Sequence, residues 1–333
     1  MNYIFKKKYF LLAIACGFSL ATFAQHHTSE QYAASITAKE LKELLYVYAS
    51  DYFEGRETGS KGQKIAVDFL RSHYMRNEIA PAKNTNNYFQ EMKLKIGDEE
   101  VATENVVAII EGSEFPNEHI VISAHLDHIG VENGEINNGA DDDGSGNVAL
   151  LEIAEAFQNA VNNNEGPKRS IIFLHVSGEE KGLLGSEYYT DNPLYPLEDT
   201  MANLNIDMIG RTDPKREDKD PNYIYLIGSD KISLELHEIS EAANQQFTKL
   251  KLDYTYNDEN DPNRFYYRSD HYNFAKNNIP VIFYFNGTHE DYHQPTDTPD
   301  KINYALLEKR AKLIFHTAWE LANKSKRIEL LNK

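Results

Sequence analysis

Several short runs in this chain lack any polar face. Residues 104–111 are almost all β-branched or apolar between two glutamates, 119–124 are short and apolar, and 170–176, 202–207 and 279–285 are built in the same way. A strand with one face in water alternates polar and apolar side chains, so runs without that alternation are covered on both faces. Between them lie segments whose apolar residues recur at helical spacing: Leu41, Leu44, Leu45 and Tyr48 within 38–50, then 65–74, 148–157, 185–190, 233–247 and 305–322. Residues 88–96 and 223–227 add strands, whereas 211–222, almost all charged or proline, read as an exposed loop. The alternation predicts an α/β fold with a mainly parallel or mixed twisted sheet flanked by helices on both faces. It continues to the end of the chain without an internal repeat, which predicts one domain over residues 25–333.

In an open sheet of this kind, ligands gather at the carboxyl ends of the strands. Acidic clusters stand at those positions: His125-Leu-Asp127-His128 after the run 119–124, Glu179-Glu180 after 170–176, and Asp207 closing 202–207. A further run, Asp141-Asp142-Asp143-Gly144-Ser145, precedes the helix at 148–157. Capping a helix needs one side chain, and three successive carboxylates repel one another unless a cation sits among them. Glu179 and Glu180, buried side by side, would carry the same cost, and in extended chain they point apart, so that one can bind a metal while the other faces a water. Asp127 lies on the same side of an extended chain as His125 and is placed to orient its imidazole. With Cys16 as the only cysteine, a mixed histidine and carboxylate set predicts a catalytic zinc site, which keeps a position open, and not a structural one.

His289-Glu290-Asp291-Tyr292-His293 spells His-Glu-x-x-His, which binds zinc only on a helix, where the two histidines share a face. Gly287 just before it and Pro295 and Pro299 just after leave no room for such a helix. Read as a loop, the segment offers His293 as a lone ligand and Tyr292 as a donor to a developing oxyanion.

Taken together, these segments resemble metallopeptidase family 28, the di-zinc exopeptidases. The resemblance rests on 53–59 (Phe-Glu-Gly-Arg-Glu-Thr-Gly), 123–130, 139–146, 178–185, 205–210 and 292–298, short motifs whose number and order make the combination specific. It implies two Zn(II) ions, one held by His125 and Asp207, the other by Glu180 and His293, with one aspartate bridging them. The family's bridging position directly precedes Asp-Gly-Ser-Gly, which selects Asp142 and implies a cis peptide bond after it. It further implies Glu179 as general base, Asp127 as the partner of His125, and peptides as substrates, cut from the N-terminus. Gln294 departs from the commoner threonine after the last histidine. No room exists between residues 96 and 121 for the usual protease-associated insertion, which argues against the larger carboxypeptidase-type members.

Three alternatives stand beside the aminopeptidase expectation. One is a glutaminyl cyclase, which resembles the same family; another is a carboxypeptidase or dipeptidase, for which Arg264 or Arg268 would hold a substrate carboxylate. The last is a non-catalytic binding module. Lys6, Lys7 and Lys8, the apolar run 9–20 and the small-residue site 21–24 read as a signal peptide, so the mature chain is expected to begin near Gln25 and to be exported, periplasmic or extracellular. A lipoprotein anchored through Cys16 is the alternative. Together with 21–24 the run offers about 16 residues where a membrane span needs about 20, so no span is expected to remain. Loss of the three lysines takes the formal charge from −18 to −21, which disfavours nucleic acid and anionic membranes as partners.

Overall fold

The computed structural model describes residues 29–331, so the expected signal peptide and Cys16 lie outside the described residues. In chain order the strands are β1 (Ala80–Pro81), β2 (Phe89–Ile96), β3 (Glu99–Ile110), β4 (Phe115–His125), β5 (Gly130–Glu132), β6 (Glu135–Asn137), β7 (Arg169–Val176), β8 (Thr200–Ile206), β9 (Tyr223–Ile227), β10 (Lys251–Asp253) and β11 (Val281–Phe285). β5 and β6 pair only with each other, while the other nine form one sheet in the order β1-β3-β7-β4-β8-β11-β9-β10, with β2 beside β3. The centre, β7-β4-β8-β11, is parallel. Its neighbours β3 and β9 run antiparallel to it, so the sheet is mixed.

The helices are α1 (Ala38–Tyr48), α2 (Lys61–Arg76), α3 (Gly146–Asn162), α4 (Leu184–Asp191), α5 (Leu234–Ala243), α6 (His271–Ala275) and α7 (Tyr304–Asn323). Alternate residues of one strand enter different cores. Ile171 and Phe173 of β7, with Ile120 and Ile122 of β4, pack into a cluster with Leu150 and Ile153 of α3 and Leu313 and Ile314 of α7. Ile172 and Leu174, with Val121, pack on the other side with Tyr189 of α4 and Phe274 of α6. This is the physical reason the strands carry no polar face: both faces are covered by helices.

Two expectations need correction. The loop 211–222 is not simply exposed, since Asp213 and Arg216 are buried. The Arg216 guanidinium lies 3.6 Å from the Tyr223 ring centre and pairs with Asp253. The helix expected over 233–247 ends at Ala243 and continues as a wider turn, Asn244–Thr248. Among the described residues, no helix is long and apolar enough to cross a membrane.

The parallel strands all deliver their carboxyl ends to one edge. β4 ends on His125, Glu179 and Glu180 follow β7, Asp207 follows β8, and the segment holding His293 follows β11. Arg56, fully buried in the turn Asp51–Arg56, braces this edge. Its guanidinium donates to the main-chain oxygens of Leu126, Asn138 and Gly139 at 2.7–3.1 Å.

On α3, Glu152 is 5% exposed. Burial, reinforced by Glu155 and Glu40, pushes its carboxyl from an ordinary 4.5 up to about 8. A raised carboxyl favours the protonated folded chain, so its stability is intact below the unfolded value and is lost as pH rises towards the folded one. Glu152→Gln is therefore expected to raise Tm by about 2 °C or more near pH 8 and to change it little near pH 4. Thermal denaturation at both pH values checks this; equal shifts at both would exclude the charge as the cause.

Candidate active site

His125 presents its Nδ1 to the main-chain oxygen of Asp127 at 3.1 Å. That contact puts the proton on Nδ1 and leaves Nε2 free to bind. Nε2 lies 3.1 Å from Asp142 Oδ1 and 3.6 Å from Asp207 Oδ1. The other oxygen of Asp142 lies 3.1 Å from His293 Nε2 and 3.8 Å from His128 Nδ1. Glu180 closes this second group, with Oε1 2.9 Å from His128 Nδ1 and Oε2 3.3 Å from His293 Nε2. Two nests therefore share one carboxylate. Ligand atoms of His125, Asp142 and Asp207 lie within 4.8 Å of one another, as do those of His128, Asp142 and Glu180.

The residues fit a metal. Their donors are imidazole nitrogen and carboxylate oxygen without thiolate, the set that suits a catalytic zinc. His125, His128, Asp142 and Asp207 are buried and Glu180 and His293 partly so, and His128 Nε2 has no hydrogen-bond partner among the described residues. The local field demands positive charge. Burial opposes a charge on His125, yet Glu179, Asp207 and Asp142 hold its pKa well above the ordinary value. Burial likewise opposes ionisation of Asp142, but hydrogen bonds from His125 and His293 hold it well below the carboxylate range.

The three successive aspartates do three different things. Asp142 faces the two nests. Asp143 caps α3 through Gly146 N at 3.0 Å and also accepts from the main chains of His125 and Met208, so the capping role falls to it alone. Asp141 accepts from Gly210 N at 2.6 Å and faces His289 Nε2 at 3.1 Å. The peptide bond between Asp142 and Asp143 is cis. His289 and His293 thus reach different aspartates, and the residues between them form turns without a helix.

The Asp127 carboxylate departs from the sequence expectation. It does not act as the acceptor for the His125 ring, a part taken by its own main-chain oxygen. Instead it accepts from Thr58 Oγ1 at 2.7 Å and from the main-chain nitrogen of Glu179 at 3.1 Å, fixing where Glu179 starts. Asp207 is held through Oδ2 by Ser269 Oγ at 2.6 Å. Tyr292 stacks on His293 with ring centres 3.8 Å apart, and burial, with Asp142 and Glu180 nearby, raises its pKa, so the phenol is a neutral donor.

A pocket opens beside the nests, lined by His125, Asp142, Glu179, Asp207, Tyr292 and His293 on one side. Met208, Phe265, Phe283 and Phe285 form an apolar wall, and Arg268 and Thr288 complete the lining. Arg264 is not part of it: it lines a separate surface hollow with Asp258, Glu259 and Asp261.

The sequence placed His128 in the first cluster without giving it a role and did not single out Asp297, although both lie inside the motif segments. His128 follows His125 by three residues, and that spacing was the available signal. Asp297 is fully buried, and its Oδ2 accepts from the main-chain nitrogens of Asp141 at 2.9 Å and Asp142 at 3.1 Å. The segment that supplies His293 therefore also holds the shared aspartate. Asp297→Ala would leave two buried N–H groups unpaired, and is expected to weaken zinc binding about tenfold to a hundredfold. A titration in metal buffer measures this, and wild-type affinity would exclude the clamp.

Comparison with known proteins bears on this geometry. Residues 105–318 match peptidase family M28. A probable leucine aminopeptidase of Arthroderma otae is 31% identical over 225 residues, 66% of this chain and 57% of that protein. The match spans about half of the length of such curated relatives. Two solved structures share the fold. A zinc aminopeptidase from Bacillus subtilis aligns with a TM-score of 0.66 at 16% identity, covering 90% of this chain and 98% of that one. A glutaminyl cyclase from Porphyromonas gingivalis aligns with a TM-score of 0.67 at 18% identity, covering 85% and 97%.

Proposed function

This chain belongs to peptidase family M28, and on that premise we propose that it is a di-zinc exopeptidase that removes N-terminal residues from peptides. The observation that carries the reading is Asp142, whose two oxygens each stand 3.1 Å from a different histidine. His125 and Asp207 would hold one zinc, Glu180 and His293 the other, with Asp142 common to both and His128 against Glu180. When bound, such a pair supplies Lewis acidity and a water acidic enough to attack at neutral pH.

The chain's own residues supply the rest. Glu179 takes the proton of the attacking water and returns it to the leaving amine. Tyr292 donates to the carbonyl oxygen as it gains charge. The substrate's terminal side chain lies on Met208, Phe265, Phe283 and Phe285, and its ammonium group faces the surrounding carboxylates. The P. gingivalis likeness keeps cyclisation of N-terminal Gln as the second reading, but five donors arranged as two nests favour hydrolysis. Residues 25–333 form the catalytic domain in this reading, exported by the leader at 1–24.

The test is a mass spectrum of a mixed peptide pool incubated with the mature protein, beside chelated and zinc-restored samples. Stepwise loss of N-terminal residues that stops with chelation and returns with zinc is expected. Loss of ammonia from N-terminal Gln would make the protein a cyclase, and loss from the C-terminus would make it a carboxypeptidase.

A further inference from the structure

Arg268 lines the pocket without a carboxylate partner among the described residues. Three other basic side chains near this edge have carboxylate partners, Arg211 and Lys301 with Asp291 and Lys181 with Glu57, and Arg56 is taken up by main-chain carbonyls. Arg268 makes no ion pair among the described residues, and the one hydrogen bond of its side chain there is a long one, Nη2 to Tyr292 Oη at 3.4 Å. Its guanidinium lies 5.0 Å from the Phe265 ring centre, which supports one face of the plane. A guanidinium braced on a ring keeps its edge free for the parallel pair of N–H donors that matches a carboxylate.

Its place relative to the nests is fixed from two directions. Ser269, the next residue, holds Asp207. Tyr292, which Arg268 touches, is stacked on His293. The lining of one pocket thus carries Asp142, Glu179 and Asp207 together with a guanidinium, the one permanent cation among the lining residues. A short peptide has the complementary charges: its ammonium group suits the acids, and a carboxylate close to the scissile bond suits Arg268.

We propose that Arg268 determines specificity by binding a substrate carboxylate within one residue of the scissile bond, so that the protein prefers dipeptides or peptides with an acidic second residue. The inference rests on the exopeptidase reading and deepens it. Both carboxylates offer the same chemistry, and the experiment separates them.

Zinc-loaded protein is assayed on two matched pairs: Leu-Leu against its C-terminal amide, and Leu-Glu-amide against Leu-Gln-amide. The carboxylate member is expected to have the higher kcat/KM by about tenfold in at least one pair. The first pair identifies the α-carboxylate, the second the side chain. Arg268→Gln should bring the ratio close to one, and Arg268→Lys should keep part of it. Ratios near one in both pairs of the wild type, or a ratio untouched by Arg268→Gln, would overturn the proposal. Absence of any cleavage would instead defeat the exopeptidase reading. The same pairs are therefore also titrated calorimetrically into zinc-loaded Glu179→Gln and Glu179→Gln/Arg268→Gln. A carboxylate preference seen only in the first upholds the role of Arg268, and no preference in either overturns it.

Discussion

Glu179→Gln is expected to lower kcat by about three orders of magnitude while two zinc ions per chain stay bound. The expectation comes from two neighbours pushed in opposite directions. Burial, with the charges of Glu180 and Asp207, raises the carboxyl of Glu179 well above its ordinary value. Burial and Asp142 also act to raise Glu180, but hydrogen bonds from His128 and His293 bring it down to about 2. Adjacent carboxyls split in this way have separate tasks: one gives and takes a proton, the other remains an anion able to hold a metal. Gln keeps the size of Glu179 and its main-chain bond to Asp127 but cannot accept the proton. Single-turnover rates and metal analysis on one preparation decide the matter. If zinc left together with activity, Glu179 would be a ligand.

Asp142→Ala is expected to remove both ions, whereas His293→Ala removes one. Each nest loses a donor in the first case, because the two oxygens of Asp142 serve different sides. Ligand binding to the folded chain alone stabilises it by about 2.7 kcal/mol at a hundredfold excess over Kd. Zinc should thus raise the Tm of the wild type and leave that of Asp142→Ala nearly unchanged. Metal content near two, one and none per chain for wild type, His293→Ala and Asp142→Ala is the expected series. A wild type that saturates at one ion would end the di-zinc reading.

Much of the fold was legible because strands covered on both faces announce themselves: 119–124 and 170–176 fall within strands of the sheet, and 104–111 does so up to Ile110. The directions of β3 and β9 were not legible, since an apolar run looks the same whichever way it points. The short helix His271–Ala275 also escaped, because five residues hold little more than one turn of periodic signal. Within the site, the five expected metal donors converge, since a carboxylate at the end of an apolar run is conspicuous. Asp297 and Ser269 were hidden for the opposite reason. Each acts by a hydrogen bond to a group far away in sequence, 155 and 62 positions respectively, and local pattern carries no trace of such a partner.

Arg56 and Thr58 lie well before residue 105, where the family match begins. Yet Arg56 supplies donors to the carbonyls of Leu126, Asn138 and Gly139, and Thr58 to the Asp127 carboxylate. A fragment cut to the matched region would contain the expected metal donors and the proposed base, and would still lack the girders that hold two of their loops in place. The unit that holds the site together is therefore larger than the matched region 105–318. An expression fragment, a domain fusion or a split-protein reporter built from it has to begin upstream of Arg56.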